Sequence, residues 1–181
     1  MFFKILISIF AALVIGSLVG HLVHVLLHRP WSGPLYRAHC DHHFRAYPRS
    51  NVFSPPPYRS SGKASGFIWF PPFVAPPLLA LLYTGYCLKI SAVYLIIFTF
   101  TIIIVGVLHG FVHDKLHLIS PNESNTQFWR RLRAHHVGHH ADVTKNLGIL
   151  WFTWDHIFGT YRSPTQQDQN AINEKKYNSA Q

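Results

Sequence analysis

Charge and cysteine are what this 181-residue chain has least of. Only 13% of its residues are charged against 49% apolar, a balance that argues against an ordinary soluble domain and for a membrane protein. It has two cysteines, Cys40 and Cys87, which excludes a ferredoxin-type cysteine set. A flavin fingerprint and a cytochrome b5 motif are also missing, so the sequence contains no electron-transfer module of its own. Acidic residues are few, and the formal charge is +9. The basic residues are nonetheless spread out and form no RNA- or DNA-binding motif, which excludes nucleic acid as a partner and leaves topology and anionic lipid as the explanation.

Long uncharged runs fill the gap left by charge. Ile5–Leu27 is uncharged and interrupted only by His21 and His24 near its end, and 90–108 is a second span rich in Ile, Val and Phe. The first run lacks a small-residue cleavage site and reads as a retained span. A third candidate covers 67–87. There Pro71, Pro72, Pro76 and Pro77 predict an interfacial or re-entrant first half, with helix from Leu78 onward. Lys4 and Lys89 flank the spans on one side, and the other fourteen Lys and Arg lie in 29–66 or after 108, which by the positive-inside rule are cytoplasmic. This topology places Cys40 and Cys87 on opposite membrane faces, so no disulfide joins them. The expectation is an all-α integral membrane domain of about three spans, covering 1–163, with a weakly structured polar tail over 164–181.

Histidine is what the chain has in excess. Ten of its fourteen histidines form four clusters: His24-x3-His28, His39-x2-His42-His43, His109-x3-His113 and His136-x2-His139-His140. Residues three or four apart share a helix face, so each cluster can aim its rings at one point. Ten imidazoles are too many for one zinc or one bis-histidine haem and suit a pair of ions with five ligands each. Histidine-only shells with spare positions for oxygen favour iron as the working metal, with zinc as the other option. All four clusters fall at one edge of the predicted spans, which makes them a cytosolic, helical, histidine-rich cap. Leu35 to Phe44 and Gln127 to Ala141 read as the helices carrying the second and fourth clusters, and 47–66 reads as a loop.

Leu35-Tyr36-Arg37-x-His39-x2-His42-His43, His135-His136-x2-His139-His140, Asn146-x-Gly148 and Trp154-Asp155-x2-Phe158-Gly159-Thr160 together resemble the fatty acid hydroxylase superfamily over roughly His24 to Tyr161. Its members include sterol desaturases, sterol methyl oxidases and fatty acid 2-hydroxylases. The resemblance implies a membrane dimetal centre that uses O2 and electrons from a separate cytochrome b5-like or ferredoxin-like donor to hydroxylate or desaturate a lipid. It also implies His24, His28, His39, His42, His43, His109, His113, His136, His139 and His140 as ligands. The first pair is spaced as in sterol-type members. Carotenoid hydroxylases share the histidine logic but lack the Trp-Asp-x2-Phe-Gly-Thr close.

Other readings stay open at this point. His117 continues the i+4 series from His113 and is the natural substitute for an assigned ligand, with His21 a second substitute. His21, His117, His135 and His156 otherwise read as hydrogen-bonding partners of the ligands or as surface groups. Asp41, Asp114 and Asp142 sit beside ligands and can accept imidazole N–H bonds, Asp155 reads as an anchor for the C-terminal segment, and Asn146 as a turn residue. The Arg130, Arg131 and Arg133 group can meet lipid or an acidic electron carrier. Rival functions are a bis-histidine haem electron carrier and a metal-binding or transport protein of the membrane. A chain without a fused donor domain suggests a bacterial inner-membrane location.

Overall fold

The computed structural model describes residues 2–54, 66–118 and 126–178. Most of the proline-rich loop and nearly all of the polar break at 121–126 lie outside these. Among the described residues the chain is helical, with a single isolated β-bridge between Ser54 and Leu118. In order come α1 (Phe2–Leu27), a 3-10 turn (Pro30–Ser32), α2 (Pro34–Asp41), a π-helical turn (His42–Ala46), a second 3-10 turn (Arg49–Asn51), α3 (Gly66–Cys87), α4 (Ala92–His117), α5 (Gln127–Ala141), α6 (Thr153–Ile157) and α7 (Gln166–Asn178).

Two of these, α1 and α4, are long and apolar enough to cross a membrane, and Leu78–Cys87 is a shorter apolar stretch within α3. They pack on each other along a seam of small residues. Ala12, Gly16 and Gly20 recur every four positions on α1, and a Cβ at Gly16 would sit 3.0 Å from Val105 Cγ1. At Gly20 it would meet the His109 ring at 2.6 Å, so only glycine lets α4 approach this closely. Expelling water cannot drive two helices together inside lipid, so close packing of this kind must do so. Phe3, Phe10 and Val14 on α1 and Ile96, Phe100, Ile103 and Val107 on α4 are exposed, forming the apolar surface that a bilayer would cover.

The prolines of α3 predict a broken first half, yet the helix runs from Gly66 through all four to Cys87. Each proline forfeits one backbone hydrogen bond, a loss that is tolerated where a neighbouring helix supports the element. α4 lies against α3, with Gly85, beyond the prolines, on the Leu95 side chain.

α5 is seated on the end of α4 by Val112, Leu116, Leu132 and Ile149. α6 is tied to α1 by the Trp154 Nε1–H bond to Ser17 Oγ at 2.9 Å, a polar link of about 1 kcal/mol in such a setting.

The polar C-terminal stretch also differs from expectation, because it forms α7. Its start is a reciprocal cap in which Asp168 Oδ2 accepts from Thr165 N at 2.7 Å while Asp168 N donates to Thr165 Oγ1 at 3.3 Å. Ala171 and Ile172 then cover Val52, Phe53 and Val137, and this apolar contact is what the polar composition concealed.

Candidate metal centre

Five parts of the fold deliver the histidines to one place. His24 lies in the last turn of α1 with His28 just beyond it, His39 is in α2, and His42 and His43 open the π-helical turn. His113 and His117 end α4, and His136, His139 and His140 lie on α5. Consecutive helical residues diverge by about 100°, so the adjacent His42 and His43 serve different neighbours. His43 joins His24, His28, His39 and His139, while His42 joins His113, His117 and His136. His42, His43 and His140 make a third set between the two. Within each set the candidate ligand atoms lie within 4.8 Å of one another.

In the first group the Nε2 atoms close a ring: His28 to His39 at 3.1 Å, His39 to His43 at 3.1 Å, His43 to His139 at 3.2 Å and His139 back to His28 at 3.1 Å. Nitrogens about 2.1 Å from one ion lie roughly 3.0 Å apart when they subtend a right angle, so these edges fit ligands around a single metal. They leave no slot between two rings for a porphyrin plane. In the second group His117 and His136 approach Nε2 to Nε2 at 2.8 Å.

Proton placement supports the same reading. A carbonyl oxygen can only accept, so a ring nitrogen facing one must carry the hydrogen, and the other nitrogen of the neutral ring is then a bare lone pair. His24 Nδ1 donates to Leu147 O at 2.7 Å, His139 to Lys145 O at 2.8 Å, His117 to Val52 O at 2.7 Å and His140 to Tyr47 O at 2.8 Å. All four rings are thereby left with an unprotonated Nε2. Those of His24 and His140, like that of His113, are buried without a hydrogen-bond partner. Buried, converging lone pairs are costly unless a cation satisfies them, so the donor set fits metal ions.

Burial keeps the rings neutral. It lowers His28 to about 4, with help from the Arg29 charge. Burial first, and then the crowding of other imidazoles, pushes His39, His43 and His139 and likewise His42, His136 and His140 well below the ordinary value. Neutral imidazole is the form that ligates.

The groups contain nine of the ten histidines proposed from sequence, together with His117; His109 is in none of them. Its ring packs on Gly20, one helical turn below His113, with both nitrogens buried and without a hydrogen-bond partner. His21 stacks on Phe158, and His156 stacks on Tyr161. His135 stacks on Phe152 and bonds Asp155 Oδ2 at 3.0 Å. Among the neighbouring acids, Asp114 reaches His113 Nδ1 at 3.4 Å, a long contact. Asp41 pairs instead with Arg45, and Asp142 takes Thr144.

Asp155 is fully buried and accepts from Leu147 N at 2.8 Å, Gly148 N at 2.9 Å and Thr160 Oγ1 at 2.7 Å as well as from His135. Burial acts to raise its carboxyl, but these donors outweigh it and hold the group at about 2. Asn146 takes the left-handed conformation expected of a turn residue, with φ 55°, and its amide bridges His135 O and Arg162.

The family model described as Fatty acid hydroxylase matches residues 9–160. No curated protein and no solved structure matches the chain.

Proposed function

The chain belongs to the fatty acid hydroxylase family, and from that premise we propose that it is a membrane di-iron oxygenase that hydroxylates or desaturates a lipid such as an acyl chain or a sterol-like molecule. The family is one of oxidoreductases, generally metal-dependent, and family membership together with the two apolar helices marks a membrane protein. The observation that carries the proposal is the set of four Nδ1–H to carbonyl tethers that turn bare Nε2 atoms toward one another.

His24, His28, His39, His43 and His139 would hold one ion and His42, His113, His117, His136 and His140 the other, with zinc able to stand in for iron. A pair of iron ions would supply reduction of O2 by two electrons and two protons, with either one oxygen placed in a C–H bond and one lost as water, or two hydrogens removed from the lipid to leave a double bond and both oxygens lost as water. The chain's own part is to hold the rings neutral, fix their tautomers and keep the site buried. A cleft of about 330 Å³ lined by Phe10, Leu13, Val14, Ser17, Trp151 and Trp154 gives an apolar chain a place beside α1.

Electrons come from a separate carrier. Arg133 is buried and donates to Leu118 O, so of the three clustered arginines only Arg130 and Arg131 are exposed. With Gln127, His135 and Tyr161 these two line a cavity of about 890 Å³ that suits an acidic partner. We place the histidine site on the cytoplasmic face of a bacterial inner membrane and assign 1–163 to the hydroxylase-like domain.

Lipid extracts of cells making the chain in iron-replete medium under isotopically labelled O2 test the proposal. Mass spectrometry should find a labelled hydroxylated lipid, or a newly unsaturated one, that is absent with His139→Ala. Identical lipid profiles for the two, with the chain iron-loaded and a donor present, would contradict it.

A further inference from the structure

The four carbonyl tethers divide by backbone segment. His117 and His140 lean on Val52 and Tyr47, whereas His24 and His139, both in the first group, lean on Leu147 and Lys145 of one short loop. That loop is shaped by Asp155. The peptide joining Leu147 to Gly148 is held from both ends: its carbonyl accepts from His24 Nδ1 at 2.7 Å, and its N–H donates to Asp155 Oδ2 at 2.9 Å. The preceding N–H, of Leu147, donates to Asp155 Oδ1 at 2.8 Å. Gly148 makes the approach possible, since a Cβ there would lie 2.7 Å from Asp155 Oδ2 and 2.3 Å from Trp151 O.

A carboxylate that hydrogen-bonds a ligating histidine fixes its tautomer and raises its basicity. Here one peptide unit is interposed. A negative charge at the N–H end of a peptide polarises its carbonyl end and makes that oxygen a stronger acceptor. Resting on the dimetal reading above, we propose that Asp155 is a positioning residue for the first metal group alone, acting on His24 through the Leu147–Gly148 peptide. The carboxylate is well suited to this, because Leu147 N, Gly148 N, Thr160 Oγ1 and His135 Nε2 occupy its four acceptor sites. Asparagine would offer one oxygen and turn an NH2 group against two of those donors.

The test is a cobalt(II) titration of detergent-purified, metal-stripped full chain, read by ligand-field absorption and by metal content. Wild type should take up a pair of ions. Asp155→Asn should weaken one of them about 10-fold and leave the other unchanged, while size exclusion and helical circular dichroism stay normal. Trp154→Phe removes the bond to Ser17 from the same helix and should lower thermal stability with both ions unaffected. Where Asp155→Asn yields no folded protein, Gly148→Ala keeps the carboxylate but drives the peptide from it, and it should give the same one-ion signature. Equal weakening of both ions, or of neither, overturns the proposal. Failure of the wild type to bind a pair overturns the dimetal reading beneath it and is distinguishable from either.

Discussion

The two histidine groups share their chemistry but not their supports. The first draws on the end of α1, α2, the π-helical turn and α5, closes a ring of four nitrogens, and has two of its rings tethered to the 145–148 loop. The second draws on the π-helical turn, α4 and α5, and His117 is tethered to the 47–54 segment, as is the adjoining His140. That segment is itself pinned to α4 by Ser54 N–H on His117 O at 2.9 Å. They meet at the consecutive His42 and His43 and across the His43 and His140 rings, whose centres are 4.1 Å apart. Two centres so close yet separately braced should be separable by mutation, although the reaction proposed needs both.

The largest effect should come from removing one ligand on each side. His139→Ala in the first group and His136→Ala in the second should each cut bound metal to about one ion per chain and lower turnover more than about 100-fold, with membrane insertion intact. Full activity in either variant would break the assignment of that group. A sharper division concerns α4. His117→Ala should lose the second ion, while His109→Ala should retain both, as metal analysis of the two purified variants will report. Loss of an ion from His109→Ala with none from His117→Ala would reverse the pairing.

That choice marks where the sequence stops being informative. His109, His113 and His117 lie on one face of α4 at four-residue intervals, and periodicity alone cannot say which adjacent pair is at the depth of the other clusters. The answer depends on where α5 docks, which Leu116, Leu132 and Ile149 decide through long-range packing. The helical character of the chain, the two long apolar helices and the gathering of the remaining nine histidines are legible because each follows from local spacing or composition. The carbonyl tethers are not, since His24 and Leu147 are 123 residues apart. Helix α7 had one readable sign, the Thr165-x2-Asp168 cap, but its few apolar contacts were outweighed by polar composition.

A graded effect should follow pH. His28 titrates at about 4 in the folded chain against 6.5 for an unperturbed imidazole. Between those values the unfolded chain takes up a proton that the folded one refuses. The stability contributed by the neutral ring is therefore full above pH 6.5 and is lost as pH falls through about 4. Its neighbours shift in the same direction. Thermal stability should begin to fall as pH drops below about 6.5, while metal is retained until the folded rings protonate near pH 4, and metal lost already at about pH 6 from a chain that is still folded would show that burial does not keep these rings neutral.

The most direct test is metal content by mass spectrometry, with an optical spectrum, on detergent-purified protein from iron-replete medium. The account predicts about two irons per chain and no Soret band. Haem absorbance, or protein that retains no metal, would contradict it.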